Sequence, residues 1–561
     1  MRKFFLIIFF FILTYNVFPT HFMGGEITWV CDKDPLSPNY GQYTFTLKIY
    51  QDCDGISFTY FDEFLTVHNN PAITQITMPF LDTNDISPSG IAGSETCYDC
   101  DNQPFGTFGA VREWIYQSAP TTITGTPPAG GWHFTWGSCC RSSNITNGFS
   151  DEDWTLRAVM YPYTDPSGNV LPSGNMCHDN SPIFKEQAKS ILCTGYPFSY
   201  SHLAFDSELD SISYSWAEPL GIEFNYDPNN PTGIALAFDP PYSVNSPIPG
   251  LPTLNPNNGE ISFLSNTAGV FVTCVKVSAF KCGQLVADVF REVQVMLKSC
   301  GTLPNGAQNS PPVITEPIGP QDWITTLNPN TGLPSYETTV MAGEVVSFSV
   351  VATDNDINTT GNLQDLSLEV EGGQLDPTLA ISSQATFTVT SSSPGNVAGD
   401  FFWESDCDHM QDFGCGRQGG AFTFNLKAYD DFCPANGIVI ATITINVIPP
   451  QPDLRCLAVD SIGGVDLFYY FPQGVVDTNI KYDIYHSKNE GGPYTLVDST
   501  FYPETHYYHL GSNADVSPSY YYLLGSVTCG TNLGGSDSLL YSDTLSTILM
   551  NDLEPHVLRR S

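Results

Sequence analysis

Basic residues are scarce in this chain. It carries 20 Lys and Arg against 59 Asp and Glu, a formal net charge of −39 over 561 residues. Nucleic-acid binders neutralise phosphates with clustered Lys and Arg, so the balance argues against that class of function. It argues equally against binding an anionic membrane through a basic patch. Catalytic signatures are missing too: no G-x-S-x-G, H-E-x-x-H or P-loop pattern occurs. The ten histidines are scattered, and His506 and His509 in HYYH are too isolated to build a metal centre. With so many carboxylates, no single pair stands out as a glycosidase couple. The residues therefore point away from an enzyme. Helical periodicity is also nearly absent, with FKEQAKSIL (184–192) the one weak candidate. Past residue 13, no apolar run is long enough to cross a bilayer.

The start of the chain has the layout of an export signal. Arg2 and Lys3 precede the apolar run FFLIIFFFIL (4–13), and a polar break follows from Asn16 to Thr20. Residues 1–20 are expected to be removed, and no cysteine lies close enough to 20 for lipid anchoring. Export makes disulfides the default for the 16 cysteines. The candidates are Cys31, Cys53, Cys97, Cys100, Cys139, Cys140, Cys177, Cys193, Cys274, Cys282, Cys300, Cys407, Cys415, Cys433, Cys456 and Cys529. CYDC (97–100) has zinc-knuckle spacing but no second pair to complete a tetrahedron. In WGSCCR (136–141), successive side chains point to opposite faces if the strand continues. Cys139 and Cys140 are then expected to bridge to different partners rather than to each other.

Strand signals run the length of the chain. YTFTLKIY (43–50), WHFTWG (132–137), FVTCVKVSAF (271–280), FREVQVML (290–297), VVSFSVVA (345–352), FTFNLKAY (422–429) and YYYLLGSV (520–527) are rich in β-branched and aromatic residues. Gly, Pro, Asn and Asp bound them. The fold class expected is all-β, tandem immunoglobulin-like β-sandwich domains, disulfide-bonded, after a signal peptide. Composition breaks at GTLPNGAQNSPPV (301–313) and IPPQPDL (448–454), with a softer break across 147–182. These give a module at 21–147, a second sandwich at 148–300, a linker at 301–311, sandwiches at 312–449 and 450–548, and a tail at 549–561. The phrase TLNPNNG (253–259) returns as TLNPNTG (326–332), a reused turn.

Five segments in order resemble the N-terminal module of large exported surface proteins of gliding-type Bacteroidota. They are HFMGGEITWVC (21–31), YTFTLKIYQDCDG (43–55), GGWHFTWGSCCRSSNITN (130–147), NSPIFKEQAKSILCTGYPFSYSHLAFDSELDSISYSW (180–216), and TLNPNNGEISF through FREVQVMLKSC (253–300). Two departures stand out. Gly137-Ser138 precede the cysteine pair where that family has Arg-Cys-Cys-Arg, and 206–212 reads DSELDSI where D-P-D-G-D-S-L is usual. Residues 312–449 resemble a cadherin-like or polycystic-kidney-disease-type sandwich through VVATDNDIN (350–358) and LKAYDDFCP (426–434). Residues 450–548 resemble a fibronectin type III domain, with Tyr469 or Phe471 in place of the usual early tryptophan and Cys456 and Cys529 placed to close it. The resemblance implies a C-terminal sorting domain, and none is visible before the chain ends at LEPHVLRRS. The expectation is a truncated product, or one that stays in the periplasm.

Acidic turns carry the best chemical signal, and calcium is the one cofactor they point to. Asp354 and Asp356 form D-x-D at a strand end, Asp365 lies nearby, and Asp430 and Asp431 end another strand. Asp206, Glu208 and Asp210 form a second group. Calcium takes about six to eight oxygens in flexible geometry, which acidic loops meeting at a domain edge can supply; the competing reading is plain turn capping. Aromatics make up 13% of the chain. The runs at Tyr469–Phe471 and Tyr520–Tyr522 could stack on sugars, although core and edge packing is the commoner use. Altogether the sequence predicts a non-enzymatic, exported cell-surface scaffold or adhesin contacting a surface, a polysaccharide or a protein. A carbohydrate-binding accessory of a secreted polysaccharide-degrading system is the second reading.

Overall fold

In a computed structural model of the chain, residues 22–548 are described except 54–59, 88–98, 102–109, 143, 151, 173–175, 189–190, 300–301, 304–305, 307, 359–360, 411–418, 433–435, 449–451, 471–480 and 527–538. The expected signal at 1–20, the tail at 549–561, Phe471, and Cys97, Cys300, Cys415, Cys433 and Cys529 lie outside the described residues. Among those described, all regular elements are strands apart from three single-turn 3-10 segments. The helix candidate at 184–192 does not form. Ile183–Phe184 and Ile191–Cys193 are short strands, and the Glu186 carbonyl accepts from Arg291 Nη1 at 2.7 Å instead of an intrahelical partner. Tertiary partners outcompete a marginal local preference.

The first body is built around the strand Gln284–Lys298. It pairs along one edge with Gly269–Lys281. Its other edge is shared by Trp154–Met160 (Ala287 opposite Met160) and by Phe22–Cys31 (Gly24 opposite Val293). Cys282 and Gly283 link the hairpin with φ of 51° and 76°. Two consecutive positive φ values make the turn whose twist matches the flanking strands. From this centre the sheet extends through Trp132–Ser138 and Glu63–His68 on one side, and through Tyr43–Asp52 and Val111–Gln117 on the other. The expected boundary between sandwiches at 21–147 and 148–300 is therefore corrected. The last strand of the segment lies between strands from both halves, and one hydrophobic core takes residues from both. The stretch 147–182 supplies the buried strand Trp154–Met160 of this sheet; it does not separate domains.

Aromatic side chains fill this core. Trp29, Trp132 and Trp154 are fully buried, and the Phe45 and Phe134 rings lie 4.6 Å apart. Two arginines are buried with them. Arg291 Nε lies 2.5 Å from Glu26 Oε2, while Arg141 pairs with Glu292 and sits 3.8 Å over the Trp154 ring. Burying a guanidinium is tolerated only with such pairing.

The second body is a sandwich. One sheet joins Val313–Ile314, Val345–Thr353, Asn396–Glu404 and Thr386–Ser393; the other joins Ile324–Leu327, Pro334–Met341, Ile438–Ile448, Gly420–Asp430 and Leu366–Glu371. Between them lie Phe348, Phe401, Trp403, Phe422 and Phe424. The strand Val345–Thr353 alternates strictly between buried and exposed residues from Val345 to Val350, as a strand with one face on a core must. The third body sets Asp453–Val459, Val465–Tyr470 and His506–His509 against a sheet centred on Lys481–Ser487 and Tyr520–Ser526. Tyr469 is fully buried there. The two tyrosine runs split by face: Tyr469 and Tyr521 are core, Tyr470 is exposed, and Tyr522 stacks on Tyr485 at 5.0 Å.

The first two bodies meet along a packed seam. Ile440 joins the first core, and Phe205 packs on the second. Lys427 reaches across to Glu186 at 3.4 Å while also pairing with Glu369 and Glu371 of its own sandwich. Asn425 Nδ2 donates to Glu186 Oε2 at 2.8 Å and to the Ser201 carbonyl at 2.9 Å. The two TLNPN phrases form the same turn and touch each other. In both, the glycine has φ 71° and its N–H returns to the first asparagine's carbonyl (Gly259 to Asn255 at 2.9 Å, Gly332 to Asn328 at 2.8 Å). Asn328 Nδ2 then donates to Thr253 Oγ1 at 3.0 Å.

Candidate cation site

Asp354 follows the strand Val345–Thr353 of one sheet, and Asp430 ends Gly420–Asp430 of the other. The residues before the sandwich thread between these acids. Asn309 Nδ2 donates to Asp430 Oδ2 at 2.7 Å, and Ser310 donates from both N–H and hydroxyl to Asp356 Oδ2, each at 2.7 Å. Gln364 Nε2 donates to Asn309 Oδ1 at 2.7 Å. Asp356 N–H closes a local turn on Asp354 Oδ1 at 2.8 Å, and the Phe432 and Gly437 N–H groups hold Asp430 Oδ1 at 3.0 and 2.8 Å. Asp354, Asp430 and Asp431 are buried and Asp356 is half-buried. Asp365 is exposed and stands outside the group, which corrects its assignment as a ligand. Its neighbour Gln364 faces in instead.

Two buried oxygens in this cluster, Asp354 Oδ2 and Gln364 Oε1, have no hydrogen-bond partner. Burial, with Asp356 and Asp431 nearby, pushes the Asp354 carboxyl up to about 6. Burial, with a smaller push from the Asp354 charge, raises Asp430 to about 7 despite its donors. A buried carboxylate without a counter-charge is costly. The donor types suit a hard cation, several carboxylates plus an amide oxygen from two loops. Among the described residues no three of these carboxylates place oxygens within 4.8 Å of one another, so a cation would have to draw them together. Sequence reading missed Asn309, Ser310 and Gln364. The available signal was Asn309-Ser310 standing directly before Pro311-Pro312, which hold the entering chain extended.

The second acidic turn is arranged differently. Asp206 Oδ1 accepts from the N–H groups of Glu208 and Asp210 at 2.8 and 3.3 Å, so it caps its own turn. Around it, the buried ammonium of Lys281 lies 2.5 Å from Asp179, 3.5 Å from Glu208 and 3.6 Å from Asp210, and Lys33 pairs with Glu208. The cation gathered by this turn is an ammonium group. Burial and the neighbouring carboxylates raise Asp206 to about 8 and Asp210 to about 9. Asp179, in the irregular segment before Ile183–Phe184, and Lys281, at the end of Gly269–Lys281, carried no sign of this role in the sequence.

Cys31 is bonded to Cys177 and Cys53 to Cys100. Cys193, Cys282 and Cys407 are also disulfide-bonded. The expectation for Cys139 and Cys140 is corrected: they are bonded to each other across a cis peptide. The strand Trp132–Ser138 ends just before them, so the alternation that would aim them apart never applies. The chain turns there and delivers Arg141 to Glu292. Two further candidates are free thiols. Cys274 is buried among Val159, Ala217 and Phe290, and Cys456 is exposed on Asp453–Val459.

No protein-family model and no curated protein matches the chain. Among solved structures it is similar to the FN1–FN3 domains of chicken CNTN1, at 8% identity over 66% of this chain and 99% of that one, with a TM-score of 0.14. So loose a superposition carries no argument; the sandwich fold rests on the strands described above. Among the described residues, no helix is long and apolar enough to cross a membrane.

Proposed function

We propose that the chain is a non-enzymatic, exported cell-surface scaffold, whose stacked sandwiches hold a contact surface at a distance from the cell. The observation that carries this reading is the seam between the first two bodies. A fully buried Lys427–Glu186 pair and a shared turn contact suit a stiff element better than domains that swing freely. A cation among Asp354, Asp356, Asp430, Asp431 and Gln364 would tie the entering segment to the second sandwich and stiffen it further. Calcium is the ion its all-oxygen donors favour. The resemblance of 21–300 to surface proteins of gliding-type Bacteroidota, the N-terminal segment and the disulfides support export. Protease shaving of intact cells tests the reading. Released peptides from 22–548 are the expected result; full protection, with the protein present in lysates, would place it in the periplasm and end the surface role.

A further inference from the structure

On the outward face of the first body, the sheet and the loop 217–236 enclose a cavity of about 250 Å³. Its floor is set by strand alternation. Arg157 and Val159 come from one strand and Asp288 and Phe290 from the next, with Val159 opposite Asp288; Lys276 lies opposite Phe290 on the strand beyond. Tyr161 adds an aromatic edge, Trp216 reaches only the rim because it lies opposite core Val275, and Glu218 stands on the loop side. None of these residues belongs to the acidic clusters or the disulfides.

The two buried charges of this cavity are already held in place. Arg157 is buried, donates from Nη1 to the Pro231 carbonyl at 3.0 Å, and lies 4.1 Å over the Phe290 ring. Buried Asp288 accepts from the Tyr161 hydroxyl at 2.9 Å and the Ser278 hydroxyl at 2.5 Å, with the Lys276 ammonium 4.0 Å away. Two cations, Arg157 and Lys276, stand against two anions, Asp288 and Glu218. A charged ligand would meet no uncompensated counter-charge here and would have to give up its own hydration. A neutral ligand rich in hydroxyls can use the rigid donors and acceptors in pairs, while its C–H face rests on aromatic carbon. The volume lies just under the roughly 300 Å³ at which sites for drug-sized ligands begin, which suits a single ring.

We infer that this cavity binds one pyranose ring of a neutral glycan. The inference deepens the contact role proposed above and rests on it for its biological setting, though not for its test. The purified chain is titrated calorimetrically with glucose, galactose, mannose and N-acetylglucosamine, and with short oligosaccharides of each. Saturable one-to-one binding of at least one of these is expected, weakened about tenfold or more by Tyr161→Ala, a loss of about 1.4 kcal/mol. Because Tyr161 also holds Asp288, Glu218→Gln serves as a second variant on the loop side, expected to weaken binding with an unchanged melting temperature. Absence of binding by the whole set, or binding indifferent to both variants, overturns the inference. Protease shaving reports separately: glycan binding by a periplasmic protein sinks the surface role alone, and a surface-exposed protein that binds none of these sugars sinks this inference alone.

Discussion

Asn309 Nδ2 donates to Asp430 Oδ2 at 2.7 Å, joining the segment that enters the second sandwich to an acid at the end of one of its longest strands. The contact makes the stretch before the sandwich a part of it. It also brings the carboxylates of two sheets into one cluster and leaves two buried oxygens facing inward without donors.

That cluster sets a pH dependence. Asp354 and Asp430 have folded-state pKa values of about 6 and 7, above the ordinary 3.8. Between those limits the native chain holds protons that the unfolded chain has released, so stability falls as pH rises from about 4 through about 7. Each unit between the folded and unfolded pKa is worth about 1.4 kcal/mol, an upper bound of about 7 kcal/mol for the two acids that solvent screening reduces. Urea unfolding in chelator across that range should show the decline, and Asp430→Asn should flatten it. A decline unchanged in that variant contradicts the assignment.

The seam between the first two bodies depends on Lys427. Removing its ammonium leaves the charges of buried Glu186 and half-buried Glu371 without a counter-charge, and Glu371 is already pushed up by burial and the Glu186 charge. Lys427→Ala is expected to cost about 3–5 kcal/mol in denaturant unfolding, as loss of one partner from a buried pair does. A cost within about 1 kcal/mol would mean that the pair is hydrated and the seam open.

The repeated turn separates two costs. Gly332→Ala meets only the left-handed backbone, since an added Cβ has open space; about 1 kcal/mol is expected. At Gly259 the same φ is joined by a Cβ 2.4 Å from the Tyr214 ring, so Gly259→Ala should cost at least about twice as much. Thermal unfolding of the two variants decides the order, and equal costs would place Tyr214 elsewhere.

Peptide mapping without reduction should recover Cys31 joined to Cys177, Cys53 joined to Cys100, and Cys139–Cys140 within one peptide. Alkylation of the native chain should reach Cys456 and spare buried Cys274. A bridge from Cys139 or Cys140 to a distant cysteine would restore the arrangement read from the sequence.

Strands were legible because alternation is local: FVTCVKVSAF and FREVQVML sit inside the two strands of the long hairpin. Their partners were not. Nothing in the residues near 147 records that Gly24 pairs with Val293 or Ala287 with Met160, so composition produced a boundary where the fold has none. The acidic cluster was half legible. The D-x-D and the Asp430-Asp431 pair announce themselves by spacing, whereas Asn309 and Gln364 act through position alone. In the second acidic turn the sequence displayed its carboxylates but gave no sign of Lys281, which arrives from a strand about seventy residues further on. The opposite inference about Cys139 and Cys140 followed from assuming that a strand continues two residues longer than it does.

The central claim is that a hard cation completes the cluster where the chain enters the second sandwich. Thermal melting of the whole mature chain, with millimolar calcium and then with excess chelator, tests it most directly. A ligand that binds only the folded state must stabilise it, by about 2.7 kcal/mol at a hundredfold excess over its dissociation constant. The account predicts a melting temperature several degrees higher in calcium, with the gain lost in Asp354→Asn. Melting unchanged by calcium, or a gain that survives in that variant, would contradict it.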